Sequence, residues 1–179
     1  MKKIFMTLAA AIIAVSASAQ VYVGGNVGIS SVKLGDADAE TSYKFLPEVG
    51  YNINDNWAVG MSLGWAKGTP VTIENVNALA ETFEVNPYVR FTPFHTQYIN
   101  VFFDGGLGYK KFNRNLGSDW SIGIKPGVAV NLNQHFSFVA HVGFLGYKWH
   151  DPKGDAKNSS AWGVDLDGNN VTFGLYYNF

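Results

Sequence analysis

An all-β fold, one antiparallel up-and-down barrel of eight strands, is predicted by three observations on this sequence. Eight stretches alternate large apolar residues with small or polar ones, the period at which a strand presents opposite faces. The connections between these stretches alternate between short and long. After the N-terminal segment no stretch has the roughly 18 consecutive apolar residues of a membrane helix, although 47% of residues are hydrophobic and only 15% are charged.

The N-terminal segment has the three regions of a secretory signal peptide. Two lysines precede the apolar run Ile4–Val15, and residues 17–19 (Ala-Ser-Ala) form a small-residue cleavage site. We expect residues 1–19 to be removed and residues 20–179 to form one domain. The absence of cysteine excludes a disulfide framework. The formal net charge of −1 argues against nucleic acid as a partner, because binding it requires clustered Lys and Arg.

The first three runs set an apolar face against a small or polar face. The first, Val21–Ser31, alternates weakly, whereas the second and third are the clearest. Their apolar faces consist of Tyr43, Phe45, Pro47, Val49, Tyr51 and Ile53, and of Trp57, Val59, Met61, Leu63 and Trp65. The opposite face of the second carries Lys44 and Glu48, and that of the third has only Ala, Gly and Ser.

The remaining runs repeat this pattern with one exception. Their apolar faces are Phe83, Val85, Pro87, Val89 and Phe91; Ile99, Val101, Phe103 and Leu107; Trp120, Ile122, Ile124, Val128 and Val130; and Val171, Phe173, Leu175, Tyr177 and Phe179. The seventh run, Phe136–Tyr147, is apolar on both faces, so alternation does not settle its register. A repeated Pro-x-Val core at Pro47, Pro87 and Pro126 removes ladder donors, and we expect a bulge or bend at each.

The connections predict which end of the barrel is which. Tight turns with Asn, Asp or Pro are predicted at residues 54–56, 93–97 and 132–134, and long polar loops at 32–41, 67–81, 110–118 and 148–170. Tight turns at one end and long loops at the other are typical of a barrel in a bacterial outer membrane, with periplasmic turns and extracellular loops. Both termini then lie in the periplasm.

The composition of the two faces favours a membrane over water. A soluble barrel that carries a ligand would turn a charged face outward, but here the polar face is mainly Gly, Ala and Ser. Aromatic residues also suggest two belts at the bilayer interfaces. In a hairpin centred on Asn54, Tyr51 would face Trp57 and Tyr43 would face Trp65, with Trp120 joining a belt from the sixth strand. A soluble periplasmic carrier is kept as the alternative.

At this point the chain resembles the small outer-membrane barrels typified by OmpX, Ail and the membrane domain of OmpA. The most specific feature is the C-terminal pattern Phe173, Leu175, Tyr177 and Phe179, which is similar to the assembly signal read by the barrel-assembly machinery. The hairpin at residues 51–60 is also typical of the family. The resemblance implies a monomeric Gram-negative cell-envelope protein, related to the OmpA-like porins, in contact with outer-membrane lipid and lipopolysaccharide.

Six charged residues are expected in the lumen: Lys44, Glu48, Glu84, Arg90, Asp104 and Lys125. Two hypotheses explain them. They pair to offset desolvation and fill a barrel too narrow for water flow, or they exchange partners and gate a narrow low-conductance pore.

Other chemistry has little support in the sequence. Ser121 and His141 could meet across strands six and seven as a nucleophile and base, but no acyl-chain pocket accompanies them, and no catalytic residue is assigned. Residues 165–170 resemble the start of a calcium loop without its downstream Glu, so no metal or cofactor is expected. Lys110, Lys111 and Arg114 could contact lipopolysaccharide. We therefore expect a non-enzymatic protein that supports envelope integrity and presents loops for binding or adhesion to an extracellular protein partner.

Overall fold

Every regular segment of the described chain is a β-strand, which confirms the all-β prediction. The computed structural model describes residues 20–32, 40–68, 80–113, 117–152, 158–165 and 171–179, so the predicted signal peptide lies outside it. The strands of these residues are β1 Val21–Val32, β2 Glu40–Asn52, β3 Trp57–Lys67, β4 Glu81–His95, β5 Ile99–Phe112, β6 Ser118–Asn131, β7 Phe136–Val142, β8 Phe144–Asp151, β9 Ser159–Asp165 and β10 Val171–Asn178. No helix among them could span a membrane.

Eight of these strands form a closed antiparallel ring. The ring runs from β1 to β7 in chain order, continues to β10 and returns to β1. The closing ladder extends from Tyr22 opposite Asn178 to Asn26 opposite Gly174. Closure pairs the backbone groups of the sheet with each other, as a bilayer requires. The first and last described residues lie beside the tight turns, where the N–H of Phe179 donates to the carbonyl of Val21 at 3.0 Å.

The seventh strand is divided at Gly143, where the single predicted run Phe136–Tyr147 is wrong. Gly143 has a φ of +73°, a conformation that glycine adopts without a steric penalty. β7 pairs with β6 in the register of Gly127 opposite His141, and β8 pairs with it in a register shifted by one residue. The extra residue is a β-bulge.

The predicted last loop, 148–170, is also corrected by β8 and β9. β8 continues to Asp151, and β9 pairs with it from Phe144 opposite Asp165 to His150 opposite Ser159. β9 is short, and Trp162 and Val164 are the large apolar residues on its outer face. Alternation over so short a segment is too weak to predict a strand, and the hydrogen bonds that define it come from β8.

The repeated prolines disturb the ladders in two different ways. Between β2 and β3 the pairing stops at Leu46 and Pro47 and resumes in the same register. The β4–β5 ladder is interrupted in the same way at Pro87. A register shift accompanies only Pro126, which is followed by the bulge opposite it at Gly143. The expected bulges at Pro47 and Pro87 are therefore absent, since losing one N–H donor breaks a bond without adding a residue.

A second register shift lies near the tight-turn end of β4. It falls between Phe91 and Phe94, beside Pro93. β4 therefore continues to His95, and the predicted turn at 93–97 narrows to residues 96–98. The Thr96 hydroxyl accepts from the N–H of Ile99 at 2.9 Å and closes this turn.

The β2–β3 hairpin is centred one residue later than predicted. The N–H of Ile53 donates to the carbonyl of Trp57 at 2.8 Å, and Tyr51 lies opposite Val59. Trp65 consequently faces Phe45 instead of Tyr43. The Asn54 side chain sets this register by accepting from the N–H groups of residues 56 and 57, each at 2.9 Å.

The barrel is apolar outside and polar inside. Large apolar side chains exposed on the outer face include Ile29, Phe45, Trp65, Leu107, Ile122, Trp162 and Phe173. The buried inner residues include Glu48, Glu84, Arg90 and Asp104. A protein surrounded by water would expose this apolar surface at great cost, so the soluble-carrier alternative is wrong.

Candidate functional site in the barrel lumen

Four aromatic side chains narrow the lumen, and each lies across a glycine on a neighbouring strand. The directly paired residues are Tyr22 with Gly50, Tyr176 with Gly24, Tyr88 with Gly60, and Phe102 with Gly127. A Cβ added to any of these glycines would lie 2.0 to 2.3 Å from the aromatic side chain. The glycines of the inner face therefore make room for the rings that fill the barrel.

Arg90 lies at the centre of these rings and is paired with Asp104. Its Nε and Nη2 donate to the two carboxylate oxygens at 2.7 and 2.8 Å, the bidentate geometry that makes such a pair strong. The guanidinium carbon lies 4.0 Å from the ring centroid of Phe102 and between 5.2 and 5.7 Å from those of the three tyrosines. Aromatic faces stabilise a cation that has been removed from water.

Glu48 is the second carboxylate near Arg90. It accepts hydrogen bonds from the hydroxyls of Tyr88 and Tyr176, the latter at 2.7 Å, and lies 3.6 Å from Nη2 of Arg90. Because Tyr88 uses its only hydrogen on Glu48, Tyr22 is the donor in the 2.6 Å bond between the two tyrosine hydroxyls. The carboxylate is therefore held by donors from two neighbouring parts of the ring.

His141 completes the cluster from β7. Its Nε2 donates to Asp104 at 2.8 Å, and its ring packs edge-on against Phe102 at 5.2 Å. The pairing with Ser121 that the sequence allowed is wrong. Ser121 lies opposite Lys148, six residues along β6 from the partner of His141, a separation of about 20 Å.

These eight side chains form one layer, which we call the constriction: Tyr22, Glu48, Tyr88, Arg90, Phe102, Asp104, His141 and Tyr176. A cavity of about 650 Å³ lies on its tight-turn side, lined mainly by amides such as Asn52, Asn100 and Asn131. On the other side lie two adjoining cavities of about 280 and 500 Å³. The constriction therefore separates two compartments of the lumen.

The compartment on the long-loop side is rich in lysine. Its wall carries Lys44, Glu84, Lys110, Lys125 and Lys148. Lys110 pairs with Glu84 at 3.0 Å. Lys110 belongs to β5 and faces inward, Lys111 follows it on the exposed face, and Arg114 lies outside the described residues. The loop predicted to begin at residue 110 therefore starts only after Phe112, which removes Lys110 from the suggested lipopolysaccharide contact.

The six lumen charges expected from the sequence all lie on the inner face, in two groups. Glu48, Arg90 and Asp104 belong to the constriction, and Lys44, Glu84 and Lys125 line the compartment above it. Sequence reasoning did not assign the aromatic residues or His141 to this site. A visible signal was the presence of Tyr88, Phe102 and Tyr176 on faces otherwise composed of small or charged residues.

The residues assigned to belts and assembly lie on the outer face. Trp57 contacts Phe91 at 4.6 Å and Trp65 contacts Phe83 at 5.6 Å, both across the β3–β4 ladder. Trp120 stacks at 6.0 Å on Trp149. In the C-terminal pattern, Phe173 stacks on Phe138, and Tyr177 packs between the rings of His135, Phe136 and Phe179.

The described residues contain no group of three or more His, Cys, Asp or Glu side chains arranged to hold a metal ion. Of the suggested calcium loop, Asp165 ends β9, and residues 166–170 lie outside the described chain. The lumen chemistry of the described residues is therefore that of ion pairs, aromatic rings and hydrogen bonds.

A family model, outer membrane protein beta-barrel domain, matches residues 4–179. The chain belongs to this family of outer-membrane β-barrels. This membership, together with the apolar exterior, identifies the barrel as an outer-membrane protein.

Solved structures show the same fold at low identity. Neisserial surface protein A (NspA) shares 13% identity over 89% of this chain and 97% of its own, with a TM-score of 0.52. OprG of Pseudomonas aeruginosa shares 18% over 89% and 96%, with a TM-score of 0.48. Ail of Yersinia pestis in a phospholipid nanodisc shares 19% over 89% and 99%, with a TM-score of 0.48. No curated protein sequence matches the chain.

Proposed function

We propose that this outer-membrane barrel is a closed, non-enzymatic protein that supports envelope integrity and acts through its extracellular surface. The observation that carries the proposal is the constriction, in which Arg90 is fixed by Asp104 and enclosed by four aromatic rings. Phe102, beneath the guanidinium, is only 1% exposed. An eight-stranded barrel has an interior just wide enough for side chains, so this layer leaves no open path.

A gated narrow pore is the second candidate, and Glu48 is the observation that favours it. Its carboxylate lies 3.6 Å from Arg90, close enough to replace Asp104 as the bidentate partner after a change of side-chain rotamer. Compartments lie on both sides of the constriction. Transfer of Arg90 from Asp104 to Glu48 would then open the route between them.

Conductance in planar bilayers separates the two candidates. The closed barrel predicts silence from the wild type and discrete current steps from Arg90→Ala, which removes the side chain at the centre of the constriction. The matched control is Lys111→Ala on the exposed face of β5, which should remain silent. Steps from the wild type, lost when Glu48→Gln removes the alternative partner, would favour the gated pore and contradict the closed barrel.

The proposed orientation places the tight turns and both termini in the periplasm and the long loops outside. The natural absence of cysteine allows single-cysteine labelling on intact cells. Asp155→Cys in a long loop should react with a membrane-impermeant maleimide. Asp55→Cys in a tight turn should react only after the outer membrane has been permeabilised, and the reverse pattern would invert the orientation.

The envelope role is tested apart from conductance. A strain lacking the protein should admit more vancomycin, and the wild type should restore exclusion. Replacing residues 69–79 by Asn-Gly should also restore exclusion, because a closed ring does not depend on that loop, while removing a surface for an extracellular partner. Equal vancomycin entry with and without the protein would contradict the envelope role.

A further inference from the structure

The lysine-lined compartment above the constriction has an excess of positive charge. We call the two adjoining cavities of about 280 and 500 Å³ the vestibule. Its wall carries the four lysines Lys44, Lys110, Lys125 and Lys148, against the carboxylates Glu84 and Asp119. Among the described residues, the vestibule carboxylates pair with Lys110 at 3.0 Å and with His150 at 2.5 Å.

Glu84 is shared by more lysines than it can neutralise. It attracts Lys44 and Lys125 as well as its direct partner Lys110, and Lys44 is repelled by both other lysines. Lys148 lies with Nζ 4.5 Å from the ring centroid of Phe144. Clustered like charges at a low-dielectric wall raise the local concentration of the opposite ion, so the geometry favours an anion between the lysines.

The carboxylates below the vestibule do not supply this missing charge. Asp104 accepts three hydrogen bonds from Arg90 and His141. Glu48 accepts from two tyrosine hydroxyls and lies near the same arginine. Both are therefore occupied by donors of the constriction. Because that layer blocks the lumen, the vestibule is a pocket entered from one end of the barrel.

We propose that the vestibule binds an oxyanion, a phosphate or sulfate group, held by Lys44, Lys125 and Lys148. Each ammonium offers three donors on a flexible stem and binds phosphate as a point charge. Ser121 also lines the cavity and adds a neutral donor. The group could belong to a free phosphorylated compound or to a lipid headgroup, since the same lysines would hold either.

Titration calorimetry with inorganic pyrophosphate tests the site in the folded protein. The wild type in phosphatidylcholine nanodiscs should bind one pyrophosphate. Lys125→Gln should raise the Kd about tenfold and Lys44→Gln/Lys125→Gln about a hundredfold, as expected for loss of one and two charge-assisted contacts. Lys111→Gln is the matched control, because it removes a neighbouring lysine from the outer face and should leave the Kd unchanged.

Two further measurements make each outcome decisive. A heat-dependent shift in gel mobility shows that each variant is folded, and Lys148→Gln replaces the double variant if that one fails to assemble. Nanodiscs containing lipopolysaccharide should weaken pyrophosphate binding if the natural source is a lipid phosphate, and should leave it unchanged if the source is a free compound. No binding by the wild type, or an unchanged Kd in the folded lysine variants, would overturn the proposal.

Discussion

Arg90 and Asp104 occupy directly paired positions of β4 and β5, and the guanidinium donates to both carboxylate oxygens at 2.7 and 2.8 Å. Asp104→Ala leaves the arginine buried without this partner. We expect the free energy of unfolding to fall by about 3–5 kcal/mol, the usual cost of breaking a buried ion pair from one side. Urea unfolding in detergent, followed by tryptophan fluorescence, measures it.

The control for this prediction is a double-mutant cycle with Arg90→Ala. Because the second substitution removes the uncompensated charge, the double variant should be more stable than the sum of the single effects implies. Lys111→Ala, on the exposed face of the same strand, should change the free energy of unfolding by less than about 0.5 kcal/mol. Additive single effects would contradict a direct Arg90–Asp104 interaction.

A second prediction concerns the ring of Tyr22 on Gly50. Gly50→Ala would place a Cβ 2.0 Å from this ring, and overpacking of this kind typically costs about 1–3 kcal/mol. The free energy of unfolding should therefore fall, and adding Tyr22→Leu should recover part of the loss because it removes the obstructing ring.

Gly163 provides the matched control for that substitution. A Cβ there meets no atom within 4 Å, so Gly163→Ala should be neutral or slightly stabilising, because alanine reduces the entropy of the unfolded chain. Equal effects of alanine at Gly50 and Gly163 would show that the tyrosine–glycine contact does not determine the stability of the constriction.

A third prediction places Trp57 and Trp65 in opposite interfacial belts. They lie on the outer face of β3, about 26 Å apart along the strand. In variants that keep one tryptophan, lipids brominated near the headgroup should quench both more strongly than lipids brominated near the chain end. Met61→Trp, midway between them, should show the opposite preference. The same deep quenching at all three positions would exclude the belts.

A fourth prediction concerns assembly through Phe179. Its ring packs on Tyr177 at 4.9 Å at the end of the last strand. Phe179→Ala should reduce the amount of heat-modifiable protein in the outer membrane, if the C-terminal pattern is read by the assembly machinery. Phe138→Ala removes a comparable aromatic ring from β7 and should assemble normally. Equal losses would indicate a general need for lipid-facing aromatics.

Hairpin register could not be predicted from alternation, because a period of two assigns faces but not cross-strand partners. Asn54 shows the difference. The residue was recognised as turn-forming, but its bonds to the N–H groups of residues 56 and 57 shift the centre of the hairpin by one residue. The expected pair of Tyr43 and Trp65 is therefore replaced by Phe45 and Trp65.

The candidate site was also predicted only in part. Lumen residues such as Arg90 and Asp104 could be placed on the inner face, since that assignment depends only on their own strand. That Arg90 binds Asp104, and Lys110 binds Glu84, depends on the stagger between strands. His141 lies on a strand that is apolar on both faces, so nothing local indicated its contact with the same carboxylate.

By itself, the sequence determined an exported-type leader, the strand runs, their two faces and the tight-turn end, because each depends on neighbouring residues. The tertiary structure decided the break at Gly143, the β8–β9 pairing, the glycines beneath the tyrosines and the choice of ion-pair partners. These features arise between strands that are distant in the chain, where closure of the ring sets the register and the register determines which side chains meet.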